Sequence, residues 1–193
     1  MAVRLSDGVM DQIEDRPTPL YQQHYLKVNL LLDDIALRVA GLIQKHGGTA
    51  LPIPASQLLD TENWQSYLSH KAVAIAAGLG WQGKSLLVVN RHYGPRIRLV
   101  TVLTDLPLEP DEPVKNLCAK CTECTDACPA GAIRNVNTTL HYESREEALD
   151  FDRCVLKVTE EHTKLPFVDS PICGVCIAVC PWGSKSKSTT HAD

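Results

Sequence analysis

The sequence predicts an α+β protein in two parts: a mixed helix and strand part over residues 1–113, then a cysteine-rich part over residues 114–183. A polar tail, 184–193, closes it. Three observations carry this reading. One long run has the apolar periodicity of a helix, several short apolar runs have strand character, and all eight cysteines follow a proline-rich acidic stretch.

The first part can be read in order. In LYQQHYLKVNLLLDDIALRVAGLIQKHGG, apolar residues recur at Tyr21, Tyr25, Val28, Leu32, Ile35, Val39 and Leu42, in alternating steps of three and four. This predicts one long amphipathic helix. Thr18-Pro19 suits its start and Gly47-Gly48 its end. TALPIP reads as a short strand, and SHKAVAIAA as a second helix ending at Gly78. SLLVVN and RIRLVTVLTD read as two strands joined by the turn RHYGPR. DLPLEPDEP is the expected linker to the cysteines.

Composition narrows the functional classes. The 193 residues are 44% hydrophobic and 22% charged, enough to bury a core. Aromatics make up 5%, too few for a stacking surface on single-stranded nucleic acid. A net charge of -4 argues against a broad DNA-binding face. No apolar run reaches the ~18 residues of a membrane span, and MAVRLSDGVMDQIEDRP lacks a signal-type apolar core. These features predict a cytoplasmic protein without membrane or DNA partners.

The stretch AGLGWQGKS matches two nucleotide patterns. Gly78, Gly83, Lys84 and Ser85 fit G-x-x-x-x-G-K-[ST], while Gly78, Gly80 and Gly83 fit G-x-G-x-x-G. Both patterns need a strand before the loop and a helix after it, so that helix amides hold the phosphates. Here a helix enters and a strand leaves, which excludes both. What remains is a glycine-rich loop with Trp81 and Lys84. Either it is a tight turn packed on the core, or its backbone lies flat against a large planar cofactor.

The cysteines name a metal. With no export signal, clustered cysteines point to metal rather than disulfides. CAKCTECTDACP places Cys118, Cys121, Cys124 and Cys128 as C-x2-C-x2-C-x3-C-P, and CGVCIAVCP places Cys173, Cys176 and Cys180 as C-x2-C-x3-C-P. In such runs the cysteine before proline ligates the other cluster. The crossing assigns Cys118, Cys121, Cys124 and Cys180 to one 4Fe-4S cluster, and Cys128, Cys154, Cys173 and Cys176 to the other. Zinc is the competing reading, but zinc sites usually pair two C-x2-C knuckles across a longer spacer. Two clusters of about -2 each would take the chain to about -8, which points to an acidic docking face for a redox partner.

The region 114–183 resembles two-cluster bacterial ferredoxins, CPAGAI included, with an insertion over 134–171 that carries Cys154. REEALDFDRCVLKVTEEH within it reads as helical and brings Cys154 in from the side. The order AGLGWQGKSLL, apolar hairpin, then a ferredoxin run ending CGVCIAVCPWG resembles the epoxyqueuosine reductase group, and more distantly the reductive dehalogenases. The resemblance implies a nitroreductase-like, cobalamin-binding first part, here N-terminally incomplete, with electrons passing from the clusters to cobalt. It places Gly78, Gly80, Trp81, Gly83 and Lys84 near the corrin. It gives no substrate, small molecule or tRNA. Where the tRNA-modifying members carry a proton-donating aspartate, this sequence has Trp64, with Asp60 and Glu62 nearby but outside the motif. His70 is the candidate replacement acid, and the catalytic residues stay unknown. The alternative function is an electron carrier that serves a partner and has no catalysis of its own.

Overall fold

The computed structural model of the chain describes residues 1–183; the tail 184–193 lies outside the described residues. Helix α2, Pro19–Lys45, is the long helix the periodicity predicts. Thr18 caps it, its Oγ1 accepting from the Tyr21 amide at 3.1 Å, and Pro19 occupies the first turn where its missing amide costs nothing.

Its buried face departs from the predicted stripe. Tyr21, Val28, Leu32, Ala36 and Ala40 are buried, whereas Leu42 is 56% exposed. Alternating steps of three and four average 3.5 residues per turn, and a straight helix drifts from that by about 20° per heptad. By Leu42 the predicted row has left the core, and Ala36 and Ala40 take the contact with the strands. Gln22 and Asn29 are also buried there. Gln22 Nε2 donates to Asp169 Oδ1 at 2.6 Å, and its Oε1 accepts from the Asp169 amide at 2.7 Å. Asn29 Oδ1 accepts from Arg98 Nε at 3.0 Å.

The strands form three antiparallel pairs. Strand β1, Ala2–Arg4, pairs with β5, Ile97–Leu99; β2, Ala50–Ile53, pairs with β6, Thr101–Thr104; and β3, Trp81–Gln82, pairs with β4, Val88–Val89. The expected hairpin between SLLVVN and RIRLVTVLTD is therefore corrected. The turn exists, bridged at Asn90 and Gly94, but β4 turns back onto β3. The long apolar run divides at buried Val100, its first half taken by β1 and its second by β2. Sequence alternation gives strand character but does not choose the partner edge.

Helix α3, His70–Ala76, is capped by Ser69, and Gly78 follows it with φ +66. Short helices continue the cysteine-rich part: α4, Glu123–Asp126; α5, Arg145–Ala148; α6, Phe151–Leu156, which runs into a π-helical turn, Lys157–Glu161; and α7, Val175–Ala178. An additional short helix, α1, Asp7–Met10, follows β1.

One buried cluster crosses the expected 113/114 boundary. Leu5, Met10, Ile13, Tyr21, Val28, Leu32 and Val100 pack with Val168, Ile172, Val175 and Ile177. Arg96, 3% exposed, reinforces the junction. Its Nη1 contacts Asp7 and Asp11 at 3.2 and 2.6 Å, and its Nη2 donates to the Ala178 carbonyl at 3.2 Å.

Candidate metal centre

All eight cysteines are free and partly buried. The first quartet forms around α4. Cys118 and Cys121 lie in the loop before it, joined by a backbone hydrogen bond from the Cys121 amide to the Cys118 carbonyl at 3.0 Å. Cys124 lies on α4. Cys180 comes from beyond α7; burial and the neighbouring Cys118, Cys124 and Cys121 push its thiol up to about 12.

The second quartet gathers from four places. Cys128 follows α4. Cys154 rides on α6, where Asp150 caps the helix by accepting from the Arg153 amide. The insertion is tied back to the first run by Arg134 N to Ala148 O at 2.9 Å and Asp150 N to Ala132 O at 2.8 Å. That pairing brings Cys154 beside Cys128, and burial together with the Cys128 thiol raises its pKa. Cys173 and Cys176 flank the start of α7. Burial drives Cys173 up to about 11, with Cys154 and Cys128 adding to the rise. Cys176 is raised by burial, then by Cys173, Cys124, Cys154 and Cys128, so the quartets adjoin at Cys124 and Cys176.

Cys180 thus neighbours Cys118, Cys121 and Cys124, and Cys128, Cys154, Cys173 and Cys176 neighbour one another. Burial raises the thiols of Cys124, Cys154, Cys173, Cys176 and Cys180, and such thiols bind as thiolates only beside a strong positive centre. Among the described residues no three His, Cys, Asp or Glu side chains converge on a single ion position. Each quartet could hold one four-iron cluster. Thr125 Oγ1, on α4 beside Cys124, is buried without an oxygen or nitrogen partner, and its hydroxyl acts on the Cys124 thiol, lowering a pKa that burial raises. A hydroxyl directed at a ligand sulfur suits a sulfur-rich cluster.

The glycine loop closes over the first quartet. Trp81 is fully buried, and its Nε1 donates to Cys118 Sγ at 3.3 Å. Its ring meets Trp182 edge-on at 5.1 Å. Gln82 Oε1 accepts from the Tyr142 amide at 2.8 Å, and its carbonyl accepts from Asn116 Nδ2 at 2.9 Å. Asn116 Oδ1 in turn accepts from the Cys118 amide at 2.9 Å. Lys84, 4% exposed, donates from Nζ to the Cys121 carbonyl and to Asn135 Oδ1, both at 2.8 Å. A small cavity of about 30 Å³ lies beneath, lined by Gly83, Lys84, Ser85, Val89, Cys118, Cys121, Glu123, Cys124, Cys176, Cys180, Pro181 and Trp182.

Of the five loop residues that the resemblance placed near a corrin, Gly83 and Lys84 line this cavity. Gly78 and Gly80 face protein. A Cβ on Gly80 would come within 2.3 Å of the Val89 carbonyl oxygen, and one on Gly78 within 2.7 Å of the Glu112 carbonyl oxygen. Glycine is needed there because backbone passes close to backbone. Trp81 is buried with its indole on Cys118, so the five residues divide between the cavity lining and the protein interior. The loop is entered from α3 and left through β3, the reverse of a phosphate loop.

Gln82, Asn116 and Asn135 were not singled out from sequence. Asn135 carries the one signal available, an Asn in a loop, and it adopts φ +61, a conformation Asn tolerates well. Both ring nitrogens of His70 are engaged, Nδ1 with Thr101 Oγ1 and Nε2 with the Pro54 carbonyl, each at 2.8 Å. His70 ties two loops together. Asp60 accepts from the amides of Glu62 and Asn63 and closes its own turn.

Residues 117–183, which contain every cysteine, match the family described as the 4Fe-4S double cluster binding domain. Those residues therefore form an iron-sulfur domain of the double-cluster type. The chain is further epoxyqueuosine reductase-like, with a likeness to reductive dehalogenases. It is 36% identical over 131 residues to the epoxyqueuosine reductase of Salmonella typhimurium (64% of this chain, 32% of that one). It is 33% identical over 133 residues to that of Bacillus subtilis (65% and 32%). With the tetrachloroethene reductive dehalogenase of Desulfitobacterium hafniense it shares 35% over 173 residues (82% and 28%). In structure it resembles the catabolic reductive dehalogenase NpRdhA at TM-score 0.76 and 20% identity, covering 98% of this chain and 26% of that one. It resembles the epoxyqueuosine reductase from Streptococcus thermophilus at TM-score 0.55 and 28% identity, covering 80% and 39%. The chain spans about a third of the length of the curated epoxyqueuosine reductases it matches.

Proposed function

We propose that the chain is an electron-relay module that holds two 4Fe-4S clusters, the first on Cys118, Cys121, Cys124 and Cys180 and the second on Cys128, Cys154, Cys173 and Cys176. The observation that carries this is the crossing: Cys180 joins the thiols of the first run, while Cys128 joins Cys154 and the second run. The clusters would supply one-electron chemistry. The protein's part is to hold the quartets side by side at Cys124 and Cys176, so that an electron passes between them within the fold. A redox partner protein would supply or take the electron. On this reading residues 1–113 are a scaffold joined to residues 114–183 through one core. Protein prepared without oxygen should be brown and contain about eight irons and eight labile sulfides per chain. Stoichiometric zinc with little iron would refute the reading.

A second reading keeps a reductase, in which the nitroreductase-like first part holds cobalamin and the clusters feed it. It is favoured by the fold shared with a dehalogenase whose structure is described in terms of B12-dependent dehalogenation. The loop geometry favours the relay, because the cavity under Gly83 and Lys84 is lined by the first quartet of thiols. A corrin absorption spectrum in anaerobically purified protein, or its absence after incubation with cobalamin, decides between the two. Substrates such as the tRNA stem loop bound by an epoxyqueuosine reductase stay with that protein.

A further inference from the structure

Lys84 is an anomaly that the cysteine pattern does not explain. Its side chain is buried, 4% exposed, and among the described residues no carboxylate lies within ion-pair distance. Its two acceptors, the Cys121 carbonyl and Asn135 Oδ1, are both neutral. A buried ammonium without a countercharge is costly, by several kcal/mol in ordinary cases. An ammonium has three donors, of which two are used; one of those bonds fixes Nζ at 2.8 Å from the backbone of the ligand Cys121, and Lys84 lines the cavity shared by Cys118, Cys121, Cys124 and Cys180. The indole of Trp81 donates to Cys118 Sγ from the same loop.

We propose that Lys84 is the built-in countercation of the first cluster and that, with the Trp81 hydrogen bond, it sets that cluster's reduction potential. The inference rests on the two-cluster reading above. A cubane with four thiolates carries about -2 when oxidised, and reduction by one electron from a low-potential donor adds one more negative charge. A nearby buried positive charge stabilises the reduced form more than the oxidised form. Donation of an N–H to a ligand sulfur acts in the same direction. Asn135 is a positioning residue: it holds Nζ against the Cys121 backbone and carries no charge itself.

The test is an EPR-monitored dithionite titration of the iron-loaded full chain. The first cluster's signal is the one that survives in Cys154→Ser protein. In Lys84→Gln, which keeps a donor but loses the charge, iron should stay near wild type and the first cluster's potential should fall. At fixed potential its reduced-to-oxidised ratio should drop about tenfold or more, with the second cluster unmoved. Lys84→Arg should restore it, and Trp81→Phe should shift it in the same direction but less. A wild-type potential in iron-replete Lys84→Gln would overturn the proposal. If Lys84→Gln loses four irons, rescue of loading by Lys84→Arg supports the charge. Loss in both would mean a purely steric role and overturn it. Failure of the two-cluster reading shows separately, as wild-type protein without about eight irons.

Discussion

At Gly174 a single hydrogen atom decides whether a ligand can take its place. The residue caps α7 between Cys173 and Cys176 with φ +86, and a Cβ there would lie 2.7 Å from Tyr21 Cε1 and 2.8 Å from Ile13 Cδ1. Gly174→Ala combines left-handed strain with overpacking of a filled core, so it should destabilise the fold by about 1–3 kcal/mol. Loss of the second cluster's iron should accompany a lowered melting temperature. Gly80 has a different reason for being glycine. Its neighbour is the Val89 backbone, and Gly80→Val must push β3 from β4 and carry Trp81 off Cys118. Iron analysis should show a loss confined to the first cluster. Full iron in that variant would mean the loop is not its clasp.

Elements meet these demands through specific polar ties. The insertion is anchored by its backbone ladder to residues 132–134, by Arg145 stacked 3.8 Å over Phe151, and by Arg145 Nη1 donating to the Asn63 carbonyl. Helix α6 carries Cys154 to the side of Cys128, and on the two-cluster proposal Cys154 is a ligand. Cys154→Ser should therefore cost about four of eight irons, leaving the first cluster's signal intact; loss of both would show that the quartets do not form independently. The junction of α1, β5 and α7 depends on Arg96. Arg96→Ala removes one of the two guanidinium groups on the Asp7 carboxylate, Arg4 remaining, together with the bonds to Asp11 and the Ala178 carbonyl. Hydrogen bonds to charged groups contribute about 1.5–3 kcal/mol each, so a loss of about 2 kcal/mol is expected, which chemical denaturation can measure.

The molecule as a whole is one packed body around the shared core, so the 113/114 boundary separates compositions more than folding units. Residues 114–183 expressed alone would expose Val168, Ile172, Val175 and Ile177, which pack on α2 and β1 in the full chain. That fragment should fail to fold and hold two clusters; a stable, eight-iron fragment would show two independent domains. The same junction gives the fold an acid limit. Burial alone would raise the pKa of Asp7, but Arg4 and Arg96 outweigh it and hold the carboxyl below the usual range. A carboxyl depressed in the folded state stabilises the protein above its unfolded pKa, near 3.9 for Asp, and that contribution fades as the pH falls through the folded value. The melting temperature should decline below about pH 4, and Asp7→Asn should flatten that part of the profile.

The sequence by itself determined the double-cluster domain and the main helix. Cysteine spacing followed by proline is a local constraint, and the runs it marks fall within the matched residues 117–183. Pro19, Thr18 and the apolar period marked α2 for the same local reason. The order of elements alone, helix then strand, is the reverse of a phosphate loop. Tertiary structure alone decided three things. It chose strand partners, because β4 could complete either of two edges with the same alternation. It turned the buried face of α2 toward Ala36 and Ala40, because a helix of 3.6 residues per turn leaves a 3.5-residue stripe. And it gave the glycine loop its object. Gln82, Asn116 and Asn135 are far apart in sequence, and neither their types nor their spacing announce that they bind Trp81 and Lys84 to the first cysteine run. A hydrogen bond across tens of residues leaves no periodic trace in the chain, so only the fold shows that Lys84 meets the backbone of the first cysteine run.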